Sequence, residues 1–96
     1  MCEIQKIGFN KILRDNDEIF LSHLIGIIES VDELSSITIL QKKEGFGFRI
    51  APSVPRYTNH ILKEIINFNN LYGIFMDMGK SIRTSSTITF DIKTSE

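Results

Sequence analysis

Twice along this chain a run of apolar residues at helical spacing gives way to two runs that alternate apolar with polar, and this repeated change of period constrains the fold most. In the first cycle Phe20, Leu24, Ile27, Ile28 and Val31 recur every three or four residues, which predicts a helix over 17–31 with one buried face. Asp15 followed by Glu18 reads as a capping box, each side chain satisfying an amide of the first turn. Ile37 and Ile39 then alternate within Ser36–Gln41. Phe46, Phe48 and Ile50 alternate with Gly47 and Arg49 up to Ala51. Two such runs around Lys42-Lys43-Glu44-Gly45 predict a hairpin, and Pro52 and Pro55 end it.

The second cycle begins at Thr58, read as an N-cap, and continues through Ile61, Leu62, Ile65, Ile66 and Phe68. Asn69-Asn70 and Gly73 supply a stop. Ile74, Met76 and Met78 alternate, as do Ile88, Phe90 and Ile92, with a polar loop over 80–87 between them. The expected architecture is α+β, with two helix–hairpin units (αββαββ) and a four-stranded antiparallel sheet carrying both helices on one face. A shift of 37 aligns His23 with His60, and a shift of 42 aligns Phe48 with Phe90, a pattern that a duplication or simple coincidence produces equally well. One domain over 15–96 follows, preceded by a segment, 1–14, whose signals conflict. There Ile4, Ile7 and Ile12 suggest a helical stripe, whereas Ile7 and Phe9 suggest a strand.

Ninety-six residues suffice for a core without staples, since such chains bury roughly 60–70% of their unfolded surface. Eleven basic and 12 acidic residues, a net charge of −1, lack the broad positive field that non-specific nucleic-acid binding needs. The single Cys2, at an end expected to fray, has no internal disulfide partner. The first residues resemble no signal peptide. The apolar window from Ile19 to Ile28 is broken by Ser22, His23 and Gly26, and is shorter than the about 20 residues of a membrane span. A cytoplasmic protein with no membrane partner is expected.

Met78-Gly79-Lys80-Ser81 superficially suggests a phosphate loop, but Gly73 lies one place too early and no helix follows. His23 and His60 form no cluster at metal-ligand spacing, and no nucleophile sits in a Gly-flanked elbow. Asp77 and Asp91 fall where two strands would set them facing each other. No cofactor, metal or catalytic residue is therefore expected, and the chain reads as a non-enzyme. Arg56 and Thr58 at a helix start are a candidate anion contact, and Lys80 and Arg83 in the polar loop a candidate phosphate or nucleic-acid contact. Thr87, Thr89 and Asp91 alternate with Phe90 and Ile92, so the last strand reads as half-buried. As an edge strand it would offer its amides to a protein partner.

In topology, the run from Ile37-Thr38-Ile39-Leu40 through Phe48-Arg49-Ile50, set between two helices, resembles the roadblock/dynein light chain family of small dimeric scaffolds. The likeness covers roughly residues 17–78 and implies shared architecture. The chain departs from that family in its N-terminal segment and in lacking a helix after Lys93. The expected function is a small protein-interaction or regulatory module that self-associates as a homodimer through a sheet edge or helix packing. The alternative is a nucleic-acid-binding regulator using Lys80, Arg83, Arg49 and Lys42/Lys43 on hairpin loops.

Overall fold

The computed structural model describes residues 2–9, 13–43, 45–72, 76–83 and 86–93, with the backbone alone at 72 and 76–83. Its elements are β1 (Glu3–Ile7), α1 (Asp15–Val31), β2 (Ser36–Lys42), β3 (Gly45–Ala51), a 3-10 turn (Pro55–Tyr57), α2 (Thr58–Tyr72), β4 (Met76–Arg83) and β5 (Ile88–Lys93). Both helices and both hairpins therefore fall where the periodicity puts them. α1 starts two residues earlier than expected. Arg14 holds its N-cap position without a side-chain cap, and Asp15, Asp17 and Glu18 instead lie in the first turn, where negative charge suits the helix dipole.

The sheet is five-stranded and mixed, in the order β1-β2-β3-β5-β4. Strands β2 to β5 are antiparallel neighbours, as expected of two hairpins, but β1 lies parallel to β2. The segment over 1–14 thus contributes a strand. A strand that feeds a helix returning to the same sheet comes back parallel, so β1, α1 and β2 form a crossover unit.

Register explains the core. Ile39, Phe48 and Phe90 lie in one cross-strand row; Ile37, Ile50 and Ile88 lie in a second; Gln41, Phe46 and Ile92 lie in a third. Apart from Gln41, these side chains are buried with Phe20, Leu24 and Ile28 of α1 and with Ile61, Ile65 and Phe68 of α2. Both helices therefore cover the same face. Phe48 and Phe90 stack across the β3–β5 seam with ring centroids 5.2 Å apart, and Phe20 stacks on Phe68 between the helices at 5.4 Å.

On the opposite face Thr38, Arg49 and Thr89 form one row, and Leu40, Gly47 and Asp91 the next. Lys42 reaches over Gly47 to Asp91 at 2.8 Å. A Cβ at Gly47 would stand 3.0 Å from the Lys42 Cε and 3.1 Å from the Asp91 Oδ1, so a side chain there would make the pair shift by a few tenths of an ångström. At Gly45 a Cβ would run into the Ile92 carbonyl, which makes glycine a requirement of the β3–β5 approach.

The strand order corrects one expectation. β5 is interior, hydrogen-bonded to β3 on one side and β4 on the other, because the second hairpin docks on the first through its last strand. The sheet ends are β1 and β4.

Because Phe48 and Arg49 lie on opposite faces of the sheet, neighbouring substitutions on β3 separate widely. Phe48→Ala should cost about 3–5 kcal/mol in urea unfolding, and Arg49→Ala, one residue away on the exposed face, within about 0.5 kcal/mol.

Candidate interaction edge

β1 is held almost wholly through its backbone. It pairs with β2 from Glu3 opposite Ser36 to Ile7 opposite Leu40, and all five of its residues are exposed, with Ile4 at 39% and Ile7 at 44%. Its anchors lie at either end. Cys2, buried rather than frayed, donates its thiol to the Asp32 carbonyl oxygen at 3.7 Å. Burial pushes that thiol's pKa up and nearby Glu29 adds to the shift, so the group stays a neutral apolar plug. At the other end Gly8 turns the chain with φ +70°. Phe9 then packs against Phe46, ring centroids 6.1 Å apart, with the Lys6 ammonium over its ring.

Asp32 organises the surface on which β1 starts. It is buried at the C-cap of α1. Its carboxylate accepts the Leu34 amide at 3.1 Å, the Ser35 hydroxyl at 3.0 Å, the Ser53 amide at 2.7 Å and the Ser53 hydroxyl at 2.8 Å. Its backbone oxygen accepts the Ser35 amide, and the Ser35 carbonyl in turn accepts the Glu3 amide at 3.1 Å. One carboxylate thus ties the end of α1, the entry to β2 and the exit from β3, and through Ser35 it sets the phase of β1. Burial alone would raise the Asp32 pKa; the hydrogen bonds from Ser53, Leu34 and Ser35 outweigh it and hold the carboxyl below its usual 3.8. The hydrophobic periodicity does not mark this residue. The signal was Asp32 followed at three residues by Ser35, a turn pattern directly after an apolar helix.

That phase decides which amides of β1 are outward. In an extended strand the N–H and C=O of one residue point to the same side, and successive residues alternate. Glu3 donates toward β2, so Gln5 and Ile7 do as well, and the main-chain groups of Ile4 and Lys6 point away from the sheet.

The residues singled out from the sequence do not converge on one surface. Thr87 precedes β5. Thr89 and Asp91 are half-exposed on the open face, Asp91 paired with Lys42, while Phe90 and Ile92 are buried under the helices. The edge role assigned to this strand fails, because both its hydrogen-bonding sides are occupied. Asp77 and Asp91 are direct register partners, as expected.

Arg56 is exposed and stacks over the Tyr57 ring at 5.3 Å. Thr58 is buried and has helical dihedrals, because the 3-10 turn runs straight into α2; it is therefore not the non-helical N-cap expected. Lys80 and Arg83 lie within strand β4 rather than in a loop, as do Met78, Gly79 and Ser81, since pairing with β5 continues through a register shift to Arg83 opposite Ile88. Arg49 likewise lies in mid-strand. His23 sits beside Phe68, and His60 is 3.8 Å from Glu64. No helix among the described residues is long and apolar enough to cross a membrane.

No family model, curated protein or solved structure matches the chain, so the topological resemblance to the roadblock family gains no support.

Two consequences follow for β1 and its anchor. Because the folded pKa of Asp32 is depressed, its stabilising contribution is complete above 3.8 and lost as pH falls through the folded value. Asp32→Ala should cost about 1–3 kcal/mol at pH 7 in urea unfolding, and the gap from the parent should narrow in acid. Cys2 should react with a thiol reagent far more slowly than free cysteine, at a rate unaffected by reagent concentration once opening of β1 limits it. Labelling at the free-thiol rate would show that the plug is not seated.

Proposed function

We propose that this chain is a non-enzymatic protein-interaction module that engages its partner by main-chain pairing along the free edge of β1. The observation that carries this reading is the outward phase of Ile4 and Lys6. It leaves two amides and two carbonyls in line on an exposed terminal strand, bordered by the half-open apolar side chains of Ile4 and Ile7. Such an edge takes an added strand with affinity from the backbone and selectivity from alternate side chains. The non-enzymatic part is supported by Asp32. It is the one buried acid among the residues whose side chains are described, and its oxygens are already engaged in holding three segments together.

The nucleic-acid reading draws no comparable support. Phe46, Phe48 and Phe90 all lie under the helices, which leaves the described part of the open face without a ring on which a base would stack. Lys42 is engaged with Asp91.

The test is a quantitative comparison of baits in an extract of the native cells. Proteins enriched on the parent chain should fall at least about tenfold on Ile4→Pro, which deletes an outward N–H and none of the β1–β2 bonds. Equal capture by both baits would overturn the reading. A salt-sensitive mobility shift with a DNA or RNA probe, flattened in Lys80→Ala/Arg83→Ala, would carry the nucleic-acid alternative instead.

A further inference from the structure

Resting on that reading, we infer that the partner of the β1 edge is a second copy of the chain, paired antiparallel about a two-fold axis at Gln5. The inference comes from counting which registers the outward groups allow. Two copies joined edge to edge by a two-fold axis perpendicular to the sheet keep their helices on the same side. Opposed residues must then share a face, so the axis passes beside a residue rather than between two. Within Glu3–Ile7, Ile4 and Lys6 are the residues that turn both main-chain groups outward; the trans peptides at either end also leave the Cys2 carbonyl and the Gly8 amide facing out.

With the axis at Gln5, Ile4 of each copy lies opposite Lys6 of the other. Both residues exchange N–H and C=O, which makes four hydrogen bonds. With the axis at Ile4 or at Lys6, one of these residues meets its own mate and the other falls outside the partner's Glu3–Ile7, so two bonds form between the strands themselves. The Lys6 register also brings two ammonium groups together on one face, an unfavourable cross-strand pair. The Gln5 register therefore uses every outward group of β1.

Its side-chain pairs are compatible. Ile4 lies against the aliphatic stem of Lys6 on the helix side, Glu3 lies opposite Ile7 on the open side, and the two exposed Gln5 residues face each other across the axis. The contact is isologous and closes on itself, so it joins two five-stranded sheets into one of ten strands and stops there. Pairing β1 of one copy to β4 of the next would instead be heterologous and would propagate.

Self-association and its register are measured on the same protein. In sedimentation over rising concentration the parent should dimerise. Ile4→Pro and Lys6→Pro, each deleting two of the four bonds across the axis, should raise the dissociation constant about tenfold or more while leaving the circular dichroism spectrum unchanged.

The register is read in a Cys2→Ser background by single cysteines. The Gln5 pair is non-hydrogen-bonded, with Cα atoms about 4.5 Å apart, within the span of a disulfide. Gln5→Cys should cross-link readily under mild oxidation. Glu3→Cys and Ile7→Cys should not, because each lies about 13 Å along the strand from its own mate. Cross-linking at position 3 or 7 as fast as at 5 would overturn the register, and a parent monomeric at every concentration would overturn self-pairing. If the parent is monomeric yet Ile4→Pro still loses captured proteins, this inference fails and the proposed function stands. If Ile4→Pro changes neither, both fail.

Discussion

The pairing of β3 with β5 is the contact on which the rest of the molecule depends. Without it the chain would be two helix–hairpin units, each with one apolar sheet face and one apolar helix stripe, neither large enough to close a core. The seam sets Phe48 against Phe90 at its middle and flanks them with Ile50 opposite Ile88 and Phe46 opposite Ile92. Three rows of large side chains thus lie where the two units meet, beneath the paired helices. Glycine at position 45 allows β3 and β5 to approach closely at the end of this seam. The arrangement is what two amphipathic units sharing one core adopt, whether or not they arose by duplication.

Much of this was legible locally. The period of three to four over 20–31 and 61–68 and the alternation over 37–50 and 88–92 depend on which face of each element is buried, and each pattern is written within its own element. The order of hairpins is not. Whether β4 or β5 docks on β3 depends on side chains 38 to 46 residues apart, and a half-buried alternating strand reads the same at an edge as in the interior. The polar composition of 80–83 reads as a loop, although the backbone continues as a strand through the irregular β4–β5 pairing. β1 was illegible for a different reason. All five of its residues are exposed, so no apolar face marks Glu3–Ile7, and its place is set by main-chain bonds and by Cys2. Asp32 was missed because its meaning lies in Ser53, 21 residues away.

The two ends of the sheet are consequently unlike each other. β4 is the outer half of a hairpin and is tied to β5 by a short connection. β1 arrives through a crossover helix and is attached by a ladder on one side, a plug at Cys2 and a ring contact at Phe9. Stability per residue should therefore fall steeply from β3 to β1, because local opening follows buried apolar contact. Asp32 offsets this at the point of attachment. By bonding Leu34 and Ser35 it holds the loop over 32–35, whose Ser35 carbonyl accepts the Glu3 amide in the first bond of the parallel ladder.

Rigid presentation matters more for an edge than for a pocket. A pocket selects through side chains that touch the ligand from several elements, whereas an edge selects chiefly through phase: which residues turn their amides outward, and at what spacing. In β1 that phase is inherited from a buried carboxylate through Ser35 to Glu3, and a slip of one residue would turn Ile4 and Lys6 inward and offer Glu3, Gln5 and Ile7 instead. The side chains would change faces in the same slip, carrying Ile4 to the open side. Recognition at this edge is thus coupled to the packing of a residue that touches no partner, and the anchor at Asp32 and the outward groups at Ile4 and Lys6 form one device.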